Sequence, residues 1–158
     1  STTHKAIDRR GAWHLLPKLD ISNELRRELD IIMPATASDL QRHEWYKHGS
    51  CYGSPEVYYR DSVALMKQLN ASAVQCLFAD NIGKRLTAKQ IRAAFDQSFG
   101  AGSGAKVNVR CSGKLVGEIW VNLRGTITAD TSLAELLKQA PAVRKLSCDG
   151  GIIDPAGF

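Results

Sequence analysis

Within nine residues, His43-Glu44-Trp45-Tyr46-Lys47-His48-Gly49-Ser50-Cys51, the chain places two imidazoles, a carboxylate and an ammonium, and Gly49 ends the segment. At 100° per residue on a helix, Lys47 falls about 40° from His43, Glu44 about 100° and His48 about 140°. The four ionisable groups then share one face, while Trp45 and Tyr46 project to the other. An acid, a base and a cation converging on one point are what proton transfer at a phosphate requires. Three plainer arrangements compete. The first is a solvated charged face, against which Trp45, Tyr46 and Cys51 speak, since these types tend toward burial. The second is a zinc site. The protease signature H-E-x-x-H sets its histidines four apart and nearly eclipsed; His48 follows His43 by five, so the rings diverge and no metal site is expected. The third is a pair of structural histidines in a capping network, which the spacing leaves as open as catalysis.

The elements that must position these groups can be read around them. Ser22-Asn23 can cap a helix with Leu25, Leu29 and Ile32 along one side, and Pro34 follows its end. Residues 35–39 form a short loop into the histidine-bearing helix. Ser54 as cap and Pro55 at the first helical position open a third helix with Leu65, Met66 and Leu69 facing inward. Asp80 to Gly83 make a turn. Thr87-Ala88-Lys89-Gln90 is a capping box for a fourth helix, in which Ile91, Phe95 and Phe99 recur at core spacing. After the glycine-rich stretch 100–104 the period changes to two. Val107, Val109 and Cys111 alternate with polar residues as in a half-buried strand. Ser112-Gly113-Lys114 turns the chain into a second strand, Leu115 to Leu123; Thr131 to Gln139 reads as a short helix and Ile152-Ile153 as a last strand. Helices followed by antiparallel strands give an α+β domain.

Composition sets the outer bounds. A chain of 158 residues with 44% apolar content is one domain with room for a core. No apolar run approaches the ~18 residues that would span a bilayer, so no membrane partner is expected. A net charge of +5 and a pI near 9.1 suit a polyanionic partner. The four cysteines, Cys51, Cys76, Cys111 and Cys148, contain no C-x-x-C pair, which disfavours a zinc ribbon or a thioredoxin-like site. Cys76 lies in an apolar helical stretch and is expected to be a free, buried thiol.

The order His-Glu-Trp-x-Lys-His-Gly-x-Cys resembles the second active-site segment of the RNase T2 family of secretory acid ribonucleases. The resemblance extends to Pro55-Glu56-Val57-Tyr58-Tyr59, to Phe78-Ala79-Asp80-Asn81-Ile82-Gly83-Lys84, which is similar to the bacterial branch, and to Cys148-Asp149-Gly150-Gly151-Ile152-Ile153-Asp154. It implies helices packed against a central antiparallel sheet and a metal-independent endoribonuclease without a cofactor. The implied product is a 2′,3′-cyclic phosphate made from single-stranded RNA. By resemblance His48 serves as general acid/base, Glu44 and Lys47 stabilise the charged phosphorus, and His43 binds phosphate. The family's first segment, His-Gly-Leu-Trp-Pro, supplies the other catalytic histidine and has no match here. Trp13-His14-Leu15-Leu16-Pro17 is similar in flavour but lacks the glycine and the Leu-Trp order.

The chain is therefore expected to be an N-terminally incomplete domain, its start Ser1-Thr2-Thr3-His4 carrying neither Met nor signal peptide. The resemblance pairs Cys111 with Cys148. It places the partner of Cys51 in the missing upstream region, which is either a separate N-terminal fragment linked through Cys51, a partner alongside RNA, or absent altogether. Disulfides point to the periplasm or the cell exterior. A T2-like binding protein that keeps the fold without turnover is the alternative.

Overall fold

The structure, a computed structural model, describes residues 2–155, without the side chains of Thr2, Thr3 and Ser50. Ser1, the first residue of the segment read as processed, lies outside the described residues. The chain divides into two compact units, one reaching to Met66 and one starting at Lys67.

The first unit is helical. It holds α1 (Thr2–Arg9), α2 (Asn23–Ile32), α3 (Leu40–His48) and most of α4 (Pro55–Asn70), with 3₁₀ turns at Trp13–Leu15, Pro34–Ser38 and Gly49–Cys51. Ser22 caps α2 as its type predicts, its hydroxyl accepting from the Leu25 amide at 3.2 Å. That cap is clamped by Glu56 of α4, whose carboxylate accepts from the Ser22 amide at 2.7 Å and from its hydroxyl at 3.0 Å. These bonds hold the Glu56 carboxyl below its ordinary value. Leu25 and Leu29 of α2 bury against Tyr59 and Val63 of α4, and Trp45 and Tyr58 pack on the edge of this cluster. Ile32 is only half-buried, and Met66, expected to face inward, is 37% exposed. Met66 keeps the i, i+4, i+7 stripe of Tyr59 and Val63, but it lies at the rim of an open apolar pocket that they share.

The second unit contains α5 (Ala73–Asp80), β1 (Arg85–Thr87), α6 (Ala88–Phe99), β2 (Val107–Ser112), β3 (Leu115–Val121), α7 (Leu133–Gln139) and β4 (Gly150–Ile152). The capping box at α6 is complete, with the Thr87 hydroxyl accepting from the Gln90 amide and the Gln90 side chain accepting from the Thr87 amide. Ile91 and Phe95 are only 0% and 1% exposed, as their spacing predicts. The strands form one sheet in the order β1-β4-β3-β2. The fold class is α+β as expected, but the sheet is mixed: β2–β3 and β1–β4 are antiparallel, whereas β4 runs parallel to β3 at Leu115–Ile152. A disulfide joins Cys111 to Cys148, its Cα atoms 5.9 Å apart. Cys51 and Cys76 are free, and Cys76 is exposed rather than buried. Within the short α5 only Val74 is buried, so the apolar run there does not enclose the thiol.

Candidate active site

Asp39 precedes α3 at its cap position, and its φ of 61° makes it the one described non-glycine residue in the left-handed region. Asp is among the residues that tolerate this conformation. Its carboxylate meets the Arg42 guanidinium at 3.0 Å and accepts from the Gln41 amide group at 3.3 Å. Arg42 in turn donates to the carbonyls of His14 and Leu16, at 2.9 and 2.8 Å. One guanidinium thus fastens the Trp13–Leu15 turn to the start of α3. On the other side, the Tyr59 hydroxyl donates to the Gln41 carbonyl at 2.5 Å, and the Trp45 amide is directed at the same hydroxyl. Burial pushes this phenol well above its ordinary range.

On the helix so held, three of the four expected groups converge. Glu44 lies between the histidines, one carboxylate oxygen 3.7 Å from His43 Nε2 and the other 3.8 Å from His48 Nε2. The imidazole centroids are 6.4 Å apart with perpendicular planes. Exposure is graded along the face, from 14% for the His43 side chain through 31% for Glu44 to 53% for His48. His43 is therefore walled in and His48 is open to a ligand. Lys47 is exposed near the same end of the helix. Trp45 turns inward against Tyr58, with ring centroids 5.8 Å apart, and Tyr46 packs edge-on against His4 of α1.

Two neighbours of His43 carry no sequence signal. Asp8 of α1 bonds His43 Nδ1 through a carboxylate oxygen, and the Trp13 ring stacks on the imidazole at 5.0 Å with a 32° tilt. A carboxylate on Nδ1 fixes the ring's orientation and leaves Nε2 facing Glu44. His14 contributes only its carbonyl to these bonds, and the residue is exposed. Beneath Glu44 is an apolar cavity of about 260 Å³, bordered by Leu29, Met33, Tyr58 and Met66. Burial, with the Glu44 charge as a second cause, raises the Tyr58 phenol above its ordinary value. Among the described residues, no group of three His, Cys, Asp or Glu side chains is placed to hold a metal ion.

Gly49 closes the site. Its backbone is right-handed, with φ −77° and ψ −3°, so it is not the left-handed cap that glycine usually provides. A Cβ there would overlap the Trp45 ring, which explains the small residue after His48.

A chain with this helix, these paired imidazoles and this α+β fold belongs to the Ribonuclease T2 family, whose pattern matches residues 10–138. Among its relatives is Ribonuclease I of Escherichia coli (strain K12), 31% identical over 129 residues. That alignment covers 78% of this chain and 48% of the relative, so the chain spans about half the relative's length.

Proposed function

We propose that this chain forms the acid/base half of an endoribonuclease that cleaves single-stranded RNA. The observation that carries this reading is the convergence of His43, Glu44 and His48 on one face of α3, in a member of the Ribonuclease T2 family. RNA presents a 2′-hydroxyl next to each phosphodiester. When a base removes that proton, the oxygen attacks phosphorus, the bond to the 5′-oxygen breaks, and an acid protonates the departing oxygen. The product is a 2′,3′-cyclic phosphate. Imidazole, with an unperturbed pKa of ~6.5, suits both transfers.

His48, the more exposed ring, takes the proton-transfer role. His43, held by Asp8, holds a non-bridging phosphate oxygen. Glu44 orients both imidazoles, and Lys47 balances charge as it develops on the phosphorane. The reaction needs a second acid/base group beside His48. The Cys111–Cys148 disulfide supports a periplasmic or secreted location.

The test is cleavage of single-stranded RNA at about pH 5–6, close to the imidazole pKa, with product ends read by mass spectrometry. His48→Ala is expected to abolish cyclic-phosphate formation, and EDTA to leave the rate unchanged. The 158-residue chain alone should run at least ~100-fold below protein that contains the second group. A folded His48→Ala protein with near-normal turnover refutes the assignment. RNA bound but never cut by protein containing the second group would favour a binding role.

A further inference from the structure

The charge excess of this protein resides in one of its two units. Residues 1–66 carry nine Lys or Arg against nine Asp or Glu, whereas residues 67–157 carry twelve against seven. All four histidines, at 4, 14, 43 and 48, belong to the neutral unit. The electrostatic footprint for a polyanion is therefore in the unit without imidazoles.

Within that unit the β2–β3 hairpin carries an unusual outer face. Val107 and Val109 are fully buried, so their neighbours Asn108 and Arg110 point the other way, cross-strand from Trp120 and Glu118. Trp120 is 53% exposed. The Arg110 guanidinium lies 4.1 Å from its ring centroid, and the indole N–H donates to Glu118 at 2.8 Å. Arg110 also approaches Glu118, at 3.9 Å. These contacts stabilise the hairpin and fix the indole in one orientation while leaving it in solvent. β2 is an edge strand. Two hydrogen bonds between Asn108 and Ser147, at 2.9 and 3.0 Å, bring the segment with exposed Arg144 and Lys145 alongside it.

We propose that the Trp120–Arg110 face is a non-catalytic docking site for single-stranded RNA. A base stacks on the immobilised indole, and Arg110, Arg144 and Lys145 meet the backbone phosphates. The choice of RNA as the polyanion rests on the function proposed above; the site itself does not depend on which residue cleaves.

A fluorescein-labelled 2′-O-methyl RNA 12-mer tests this, because without a free 2′-hydroxyl it binds and cannot be cut by the proposed route. By fluorescence anisotropy, Trp120→Leu should weaken binding by about tenfold or more, whereas Trp120→Phe, which keeps a π-face, should stay within about threefold. Arg144→Ala with Lys145→Ala should make binding less sensitive to salt. Arg110→Gln, which leaves the strand pairing intact, should weaken binding even if Trp120→Leu fails to fold. Unchanged affinity in folded Arg110→Gln and Trp120→Leu proteins, or no binding by the unaltered protein, overturns the proposal. Cleavage of ordinary RNA is scored separately, with protein that contains the second acid/base group: its absence, with Trp120-dependent binding intact, would defeat the catalytic reading and leave the docking site standing.

Discussion

Gly49→Ala is a one-methyl change whose consequence can be worked out atom by atom. The new Cβ would lie under 3.0 Å from Cε3, Cζ3 and Cδ2 of Trp45. The indole cannot yield at a flexible tip, since it is a rigid plate packed against Tyr58 and the Leu25–Tyr59 cluster. Either the ring or the α3 terminus must shift, and overpacking of this kind costs about 1–3 kcal/mol. For a chain of this size that lowers the melting temperature by roughly 2–12 °C. His48 immediately precedes Gly49, so a displacement of about 1 Å there could reduce RNA cleavage by up to ~100-fold. The informative assay is a double-mutant cycle by thermal or urea unfolding. In a Trp45→Ala background the methyl has room, and Gly49→Ala should cost little or even stabilise. An equal cost in both backgrounds would refute the steric account of this glycine.

Two further outcomes concern stability. Asp61 is 4% exposed, with Oδ2 buried and unpartnered, and burial raises its carboxyl pKa. A raised folded-state value means its contribution is fully present below the ordinary 3.8 and is lost as pH climbs through the folded value. Asp61→Asn should therefore stabilise the protein at neutral pH by about 1 kcal/mol and confer no such gain below pH ~3.8; equal melting shifts at both would count against the burial explanation. Opening the disulfide, whose cysteines are 37 residues apart, should cost about 4 kcal/mol. A Cys111→Ser/Cys148→Ser protein that melts at the parent temperature would mean the bridge adds nothing to the folded state.

Signals that act over a few residues were readable in the sequence. The Ser22 cap, the Thr87–Gln90 box and the Val107–Val109 alternation all appear in the structure, because caps and strand periods are local chemistry. What the sequence hid depends on distance. Asp8 reaches His43 across 35 positions, and nothing in the spacing of either residue announces the other. The three-residue strand β1 exists because β4 pairs with it, and the parallel β3–β4 contact is likewise a tertiary outcome. Burial by residue type erred at Cys76 and Met66, where an apolar neighbourhood in sequence is not an enclosed one in space. At the site, the helical wheel anticipated the shared face of His43, Glu44 and His48, but not the graded exposure that separates a walled imidazole from an open one.

Arg42, placed one residue before His43, gives α3 an unusual kind of cooperativity. Its guanidinium simultaneously engages the carbonyls of His14 and Leu16 and the Asp39 carboxylate. None of these three partners can be released without disturbing the geometry of the other two. The Trp13–Leu15 turn and the first turn of α3 should therefore open as one foldon, and their amides should exchange with a common protection factor. Lysine would be a poor replacement there, because a single ammonium cannot reproduce the fork that spans all three oxygens.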